Sequence, residues 1–175
     1  PLAGASKPLW DSVSNCVYVS CASENEVAVI DCETDSVVDY IRVGRGPERP
    51  ELNTRHRRLY VRNWDGETVS IIDLEINEVV ETLRLGSVPM MGVYCPAADK
   101  YYLGMEASEL VVVDGVGDSI LRRMDVPCSP EALVYVPSSG LLLLGANAVS
   151  TDSVYAIDVT TDSIVSACYL PGGPA

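Results

Sequence analysis

Short runs of valine, isoleucine, leucine and tyrosine, interleaved with polar residues, recur along the whole chain, each closed by Asp, Asn, Gly, Ser or Pro. Alternation with a period of two turns one face of a strand toward an apolar interior, so the pattern predicts short β-strands separated by turns. No stripe with a period of 3.6 residues competes with this reading, which excludes helical repeats.

The runs repeat. ENEVAVID, GETVSIID, ASELVVVD and TDSVYAID end at Asp31, Asp73, Asp114 and Asp158, at spacings of 42, 41 and 44 residues. Upstream of each lies another strand-like run: CVYVS around Tyr18, LYVR around Tyr60, YYLG around Tyr102 and LLLLG around Leu143. Four residues after each closing Asp comes a polar pair, Asp35-Ser36, Asn77-Glu78, Asp118-Ser119 and Asp162-Ser163, which predicts a hairpin turn. The runs VVDYIRVG, VVETLRLG, ILRRMDVP and IVSACYLPG follow, stopping at Gly44, Gly86, Pro127 and Pro171, and Pro47, Pro89, Pro130 and Pro174 punctuate the units.

Each unit therefore holds four short strands in about 42 residues, the size of one β-propeller blade, in which a twisted antiparallel sheet packs face to face on its neighbours. The expected fold is all-β: a single propeller domain of four WD40-like blades over residues 1–46, 47–88, 89–129 and 130–175. The segment VYVSCASENEVAVIDCETDSVVDYIRVGRGP resembles the YVTN β-propeller repeat, and the likeness extends over all four units. The name-giving motif is imperfect: VYVS-Cys21, LYVR-Asn63, YLG-Met105 and LLLG-Ala146 stand in its place, and only Asn63 keeps the final amide. The resemblance implies a surface-layer-like scaffold outside the cytoplasm, at the cell surface, in the periplasm or extracellular.

Four blades are fewer than such a ring usually holds, and an arc of four leaves two apolar blade faces uncovered. The expected partner is a second copy, two chains meeting head to tail through their terminal blades in an eight-bladed ring. The competing arrangement is a self-closed ring of four blades. The chain opens at Pro1 with no initiator Met and no leader, so it reads as an excised or processed piece of something longer.

Charge narrows the partners. The 25 Asp and Glu against 12 Lys and Arg give a formal charge of −13, which repels nucleic acids and acidic membranes. The longest apolar runs, such as Leu110–Val113, are far too short to insert in a bilayer. Six cysteines without a C-x-x-C pair, and a single His56, fit neither zinc nor haem; no cofactor or metal is expected, and the cysteines read as buried thiols.

Seven arginines (Arg42, Arg45, Arg49, Arg55, Arg57, Arg58 and Arg62) crowd into 21 residues with His56. Arg45, Arg49, Arg55, His56, Arg57 and Arg58, with Glu51, are the candidate binding residues for an anionic or protein ligand, because a guanidinium fork matches carboxylates. The bland reading is a solvated loop that offsets the surrounding acid. On the expected inner strands, Arg49, Glu51 and Asn53, with Lys7 and Asp11, are placed near a channel, where Pro8 and Pro50 distort the strand. The recurring Asp31/Asp35, Asp114/Asp118 and Asp158/Asp162 pairs are expected to cap turns and not to bind calcium. No phosphate loop is present, and His56 is the only imidazole available to a Ser or Cys nucleophile, so a non-enzymatic binding and scaffold module is the leading function. The alternative is part of a propeller enzyme resembling lactonases or amine dehydrogenase subunits, which would bring Arg49, Glu51 and His56 together.

Overall fold

The computed structural model describes residues 4–146 and 153–169. Pro171 and Pro174, and Thr151 and Asp152 at the head of the fourth Asp-terminated segment, lie outside them. All described secondary structure is β, in four antiparallel four-stranded sheets. Blade one holds β1 (Leu9–Asp11), β2 (Cys16–Cys21), β3 (Glu26–Asp31) and β4 (Ser36–Arg42). Blade two holds β5 (Pro47–Asn53), β6 (Arg58–Asn63), β7 (Thr68–Asp73) and β8 (Glu78–Arg84). Blade three holds β9 (Pro89–Cys95), β10 (Lys100–Met105), β11 (Glu109–Asp114) and β12 (Ile120–Asp125), and blade four β13 (Pro130–Val136), β14 (Leu141–Ala146), β15 (Ser153–Asp158) and β16 (Ser163–Tyr169). The chain divides into two compact units at Pro89/Met90, so blades one and two form the first and blades three and four the second.

The turns explain why the polar positions recur. In the hairpin between the third and fourth strands, the closing Asp accepts backbone N–H bonds: Asp31 from Glu33 and Thr34, Asp73 from Glu75, Asp114 from Val116 and Gly117, and Asp158 from Thr160 and Thr161. Four residues on, Asp35, Asn77, Asp118 and Asp162 take left-handed backbone with φ of 51°, 55°, 49° and 50°. Asn and Asp are the side chains that tolerate that region best after glycine. Turn closure, as the sequence suggests, thus accounts for the closing Asp of each pair and for the left-handed backbone of the second member.

Each outermost strand then carries a register shift against its neighbour, which bulges Val38, Val80, Leu121 and Val165 out of the ladder at equivalent positions. All four are exposed. The inner strand β5 is also irregular, with a shift between Glu48 and Glu51 that spans Arg49 and Pro50, and β1 is only three residues long. A proline cannot donate to the ladder, which fits the distortion expected there.

Packing within each unit follows one rule. In the first, Tyr18, Val27, Val29 and Ile41 of blade one meet Leu59, Val61, Ile72 and Leu74 of blade two. In the second, Tyr102, Leu110, Val112 and Met124 of blade three meet Leu142, Leu144, Ile157 and Val159 of blade four, the same eight register positions. Alternation makes this possible, since residues two apart on a strand share a face. Full burial of such side chains contributes about 2 kcal/mol each.

Candidate functional site

The arginine-rich stretch straddles β5, and the strand pulls it apart. Arg45 lies in the β4–β5 loop, where its guanidinium donates to the Asp65 carbonyl at 2.8 Å beside the β6–β7 turn. Arg55, His56 and Arg57 lie in the β5–β6 turn at the other end of the blade, with β5 between them, a span of about 20 Å for seven extended residues. Arg49 is exposed on β5, its backbone N–H held by Ser6 Oγ at 3.1 Å, and Glu51 is half-buried two residues further along. Asn53 caps the turn, accepting from the backbone N–H groups of Arg55 and His56.

Two of the candidate arginines hold structural ion pairs. Arg57 donates to the buried Asp11 at 2.7 Å, joining blades one and two, and Arg58 pairs with Asp73 of the neighbouring strand β7. Burial pushes the Asp11 carboxyl pKa up, but the Arg57 guanidinium, the Ser14 hydroxyl and the Ser14 and Val13 amides outweigh it and hold the value down at about 2. Outside the binding set, Arg62 is buried, with its guanidinium donating to the Pro89 carbonyl at 3.2 Å, and Arg42 faces Glu26 at 3.7 Å. Asn63, which keeps the amide of the YVTN-like motif, is fully buried and donates to Thr68 Oγ1 at 2.9 Å and Ser70 Oγ at 3.0 Å. A Cβ on Gly44 would lie 2.4 Å from that amide nitrogen, so glycine is required where the outer strand leaves the blade.

A second polar cluster, in the other unit, was not singled out by the sequence. Lys100 donates to both oxygens of Asp162 at 2.9 and 2.8 Å and to the Val159 carbonyl at 3.0 Å, and Tyr102 donates to the same carboxylate. Burial, and then the bond to Asp162, push the Tyr102 hydroxyl pKa far up. A carboxylate saturated by an ammonium and a phenol that cannot ionise near neutrality form a joint, not an acid–base pair. Its counterpart in the first unit is the bond from Tyr18 OH to Asn77 Oδ1 at 3.1 Å. The available signal was alignment: Tyr18 and Tyr102 fall at the same place in their repeats, as do Asn77 and Asp162. Among the cysteines, Cys21, Cys95 and Cys128 are buried, Cys16 and Cys32 half-buried and Cys168 exposed, and all six are free thiols.

Blade-sized sheets with this strand order and this packing have clear counterparts among solved structures. The fold is that of a β-propeller. Hydrazine synthase of Kuenenia stuttgartiensis superposes with a TM-score of 0.84 at 20% identity, covering 97% of this chain and 50% of that one. The β-propeller domain of Myceliophteria thermophila Cps50 (Swd1) gives 0.80 at 16% identity, covering 98% and 56%. Dihydro-heme d1 dehydrogenase NirN in complex with DHE gives 0.79 at 16% identity, covering 95% and 37%. The chain thus spans about half the length of the propeller chains it matches. No protein-family model matches the sequence, and no curated protein does.

Proposed function

We propose that this chain is a non-enzymatic β-propeller module for binding and scaffolding, and that it associates head to tail with a second copy through two open blade faces. The packing rule supports this most directly. Blade two presents Leu59, Val61, Ile72 and Leu74 to blade one; the equivalent positions on blade one are Val17, Val19, Ile30 and Cys32. Blade three presents Tyr102, Leu110, Val112 and Met124 to blade four; the equivalents on blade four are Leu143, Val154, Ala156 and Cys168. Val17, Ile30, Cys32, Leu143 and Val154 are half-buried and Cys168 is exposed, whereas Leu59, Val61 and Ile72 are fully buried. The two sets are the two halves of one interlocking pattern, so another copy of this chain carries the surface each of them lacks.

The enzymatic alternative needs Arg49, Glu51 and His56 to converge, and the course of β5 away from Arg49 towards the His56 turn favours the binding reading. The likeness to the YVTN repeat adds a surface-layer-like role outside the cytoplasm.

Light scattering tests the assembly. We expect a mass twice the 18.8 kDa of one chain, returning to the single-chain value in Leu143→Glu. A single-chain mass for the unaltered protein at about 100 µM, well above the micromolar dissociation constants of weak but specific pairs, overturns the reading.

A further inference from the structure

Within each unit, the inner strands of facing blades contribute one matched pair of positions. Leu9 lies opposite Tyr18, on the face of blade one that meets blade two, and Leu52 lies opposite Leu59, on the face of blade two that meets blade one. Both are half-buried against the first core. In the second unit, Val93 of blade three and Tyr135 of blade four, which lies opposite Leu142, hold the same two places against the second core. On the open faces those places belong to Trp10 of blade one, opposite Val17, and Val134 of blade four, opposite Leu143. Trp10 is 59% exposed and Val134 55%, whereas Leu9, Leu52, Val93 and Tyr135 are all half-buried. An indole so little covered is unusual, because tryptophan is on average a highly buried residue.

We propose that Trp10 is the anchor of the head-to-tail joint, its ring laid against Val134 of a second copy. This role rests on the assembly proposed for the open faces and names the contact that dominates it. The series within the chain supplies the fit: Leu52 faces Leu9, Tyr135 faces Val93, and Trp10 facing Val134 continues it, an aliphatic side chain receiving the next blade each time. A tryptophan ring carries about 200 Å² of mostly apolar surface, the largest single contribution that either open face can make. Such rings, covered at the middle of a contact, hold most of the binding energy of protein pairs. Because β1 is the edge strand of its sheet, the indole N–H keeps water while the ring is covered.

Trp64→Phe leaves Trp10 as the only tryptophan, so its fluorescence reports this place alone. We expect acrylamide quenching of Trp10 to fall roughly three-fold as concentration rises, along the same curve as the doubling of mass in light scattering. Trp10→Ala should raise the dissociation constant of the pair at least about 100-fold, and Val134→Ala roughly ten-fold. The double substitution should stay within about three-fold of Trp10→Ala, because Val134 then has no ring to meet. Both positions are exposed, so neither substitution disturbs the packing of its own blade. A single-chain mass up to about 100 µM removes the assembly, and this role with it. A doubled mass with Trp10 quenched equally at every concentration, with Trp10→Ala pairing as the unaltered chain does, or with the two alanine effects simply adding, leaves the assembly standing and overturns the role of Trp10.

Discussion

Arg57 occupies the left-handed position of the first hairpin, with φ of 54°, where the other three blades carry Asn15, Asp99 and Gly140. A long side chain there costs about 1 kcal/mol of backbone strain that asparagine or glycine largely avoids. The ion pair with Asp11 offsets it. Because the folded pKa of Asp11, about 2, lies below its ordinary value of 3.8, the stabilisation is fully present above about pH 4 and is lost as pH falls through 2. The shift corresponds to about 2 kcal/mol. Asp11→Asn, which can still cap the turn, should therefore be less stable than the unaltered protein by about that amount at pH 6, with the gap largely closed at about pH 2. Urea unfolding at several pH values measures this, and a gap that does not change with pH counts against the account.

At the scale of elements, the three hairpins of blade one use the same device: the left-handed residues Asn15, Asn25 and Asp35 at the ends of facing strands. Asp35 separates the backbone requirement from side-chain contacts, since its exposed side chain holds neither of the joints made by Asn77 and Asp162. Asp35→Gly should be nearly neutral in thermal unfolding and Asp35→Val should cost about 1 to 2 kcal/mol. Equal effects of the two substitutions would mean that φ is not what selects the residue. The same logic explains what the sequence disclosed. Strand positions were legible because alternation and turn residues are local properties, and the Asp pairs were readable as turns for that reason. The arginine cluster was not legible as geometry. Closeness in sequence between Arg45 and His56 becomes distance once β5 is extended between them, while Lys100 and Asp162, 62 residues apart, become neighbours through packing that no local pattern records.

For the whole molecule, the proposed assembly sets net charge against apolar contact. In the proposed pair, two chains of −13 would repel while the apolar faces would attract, so screening should favour association. Raising salt from about 20 to about 500 mM is expected to strengthen self-association several-fold by sedimentation equilibrium, the reverse of a complex held by opposite charges. Weakening over that range would point to ion pairs as the dominant contact. The bulge repeated at Val38, Val80, Leu121 and Val165 sets a further boundary on such behaviour. A kinked margin offers no flat row of free N–H and C=O groups onto which a neighbour could add a strand. Strand-by-strand addition at the four outer margins is therefore disfavoured, which leaves the broad faces of the sheets as the surfaces through which the proposed assembly would form.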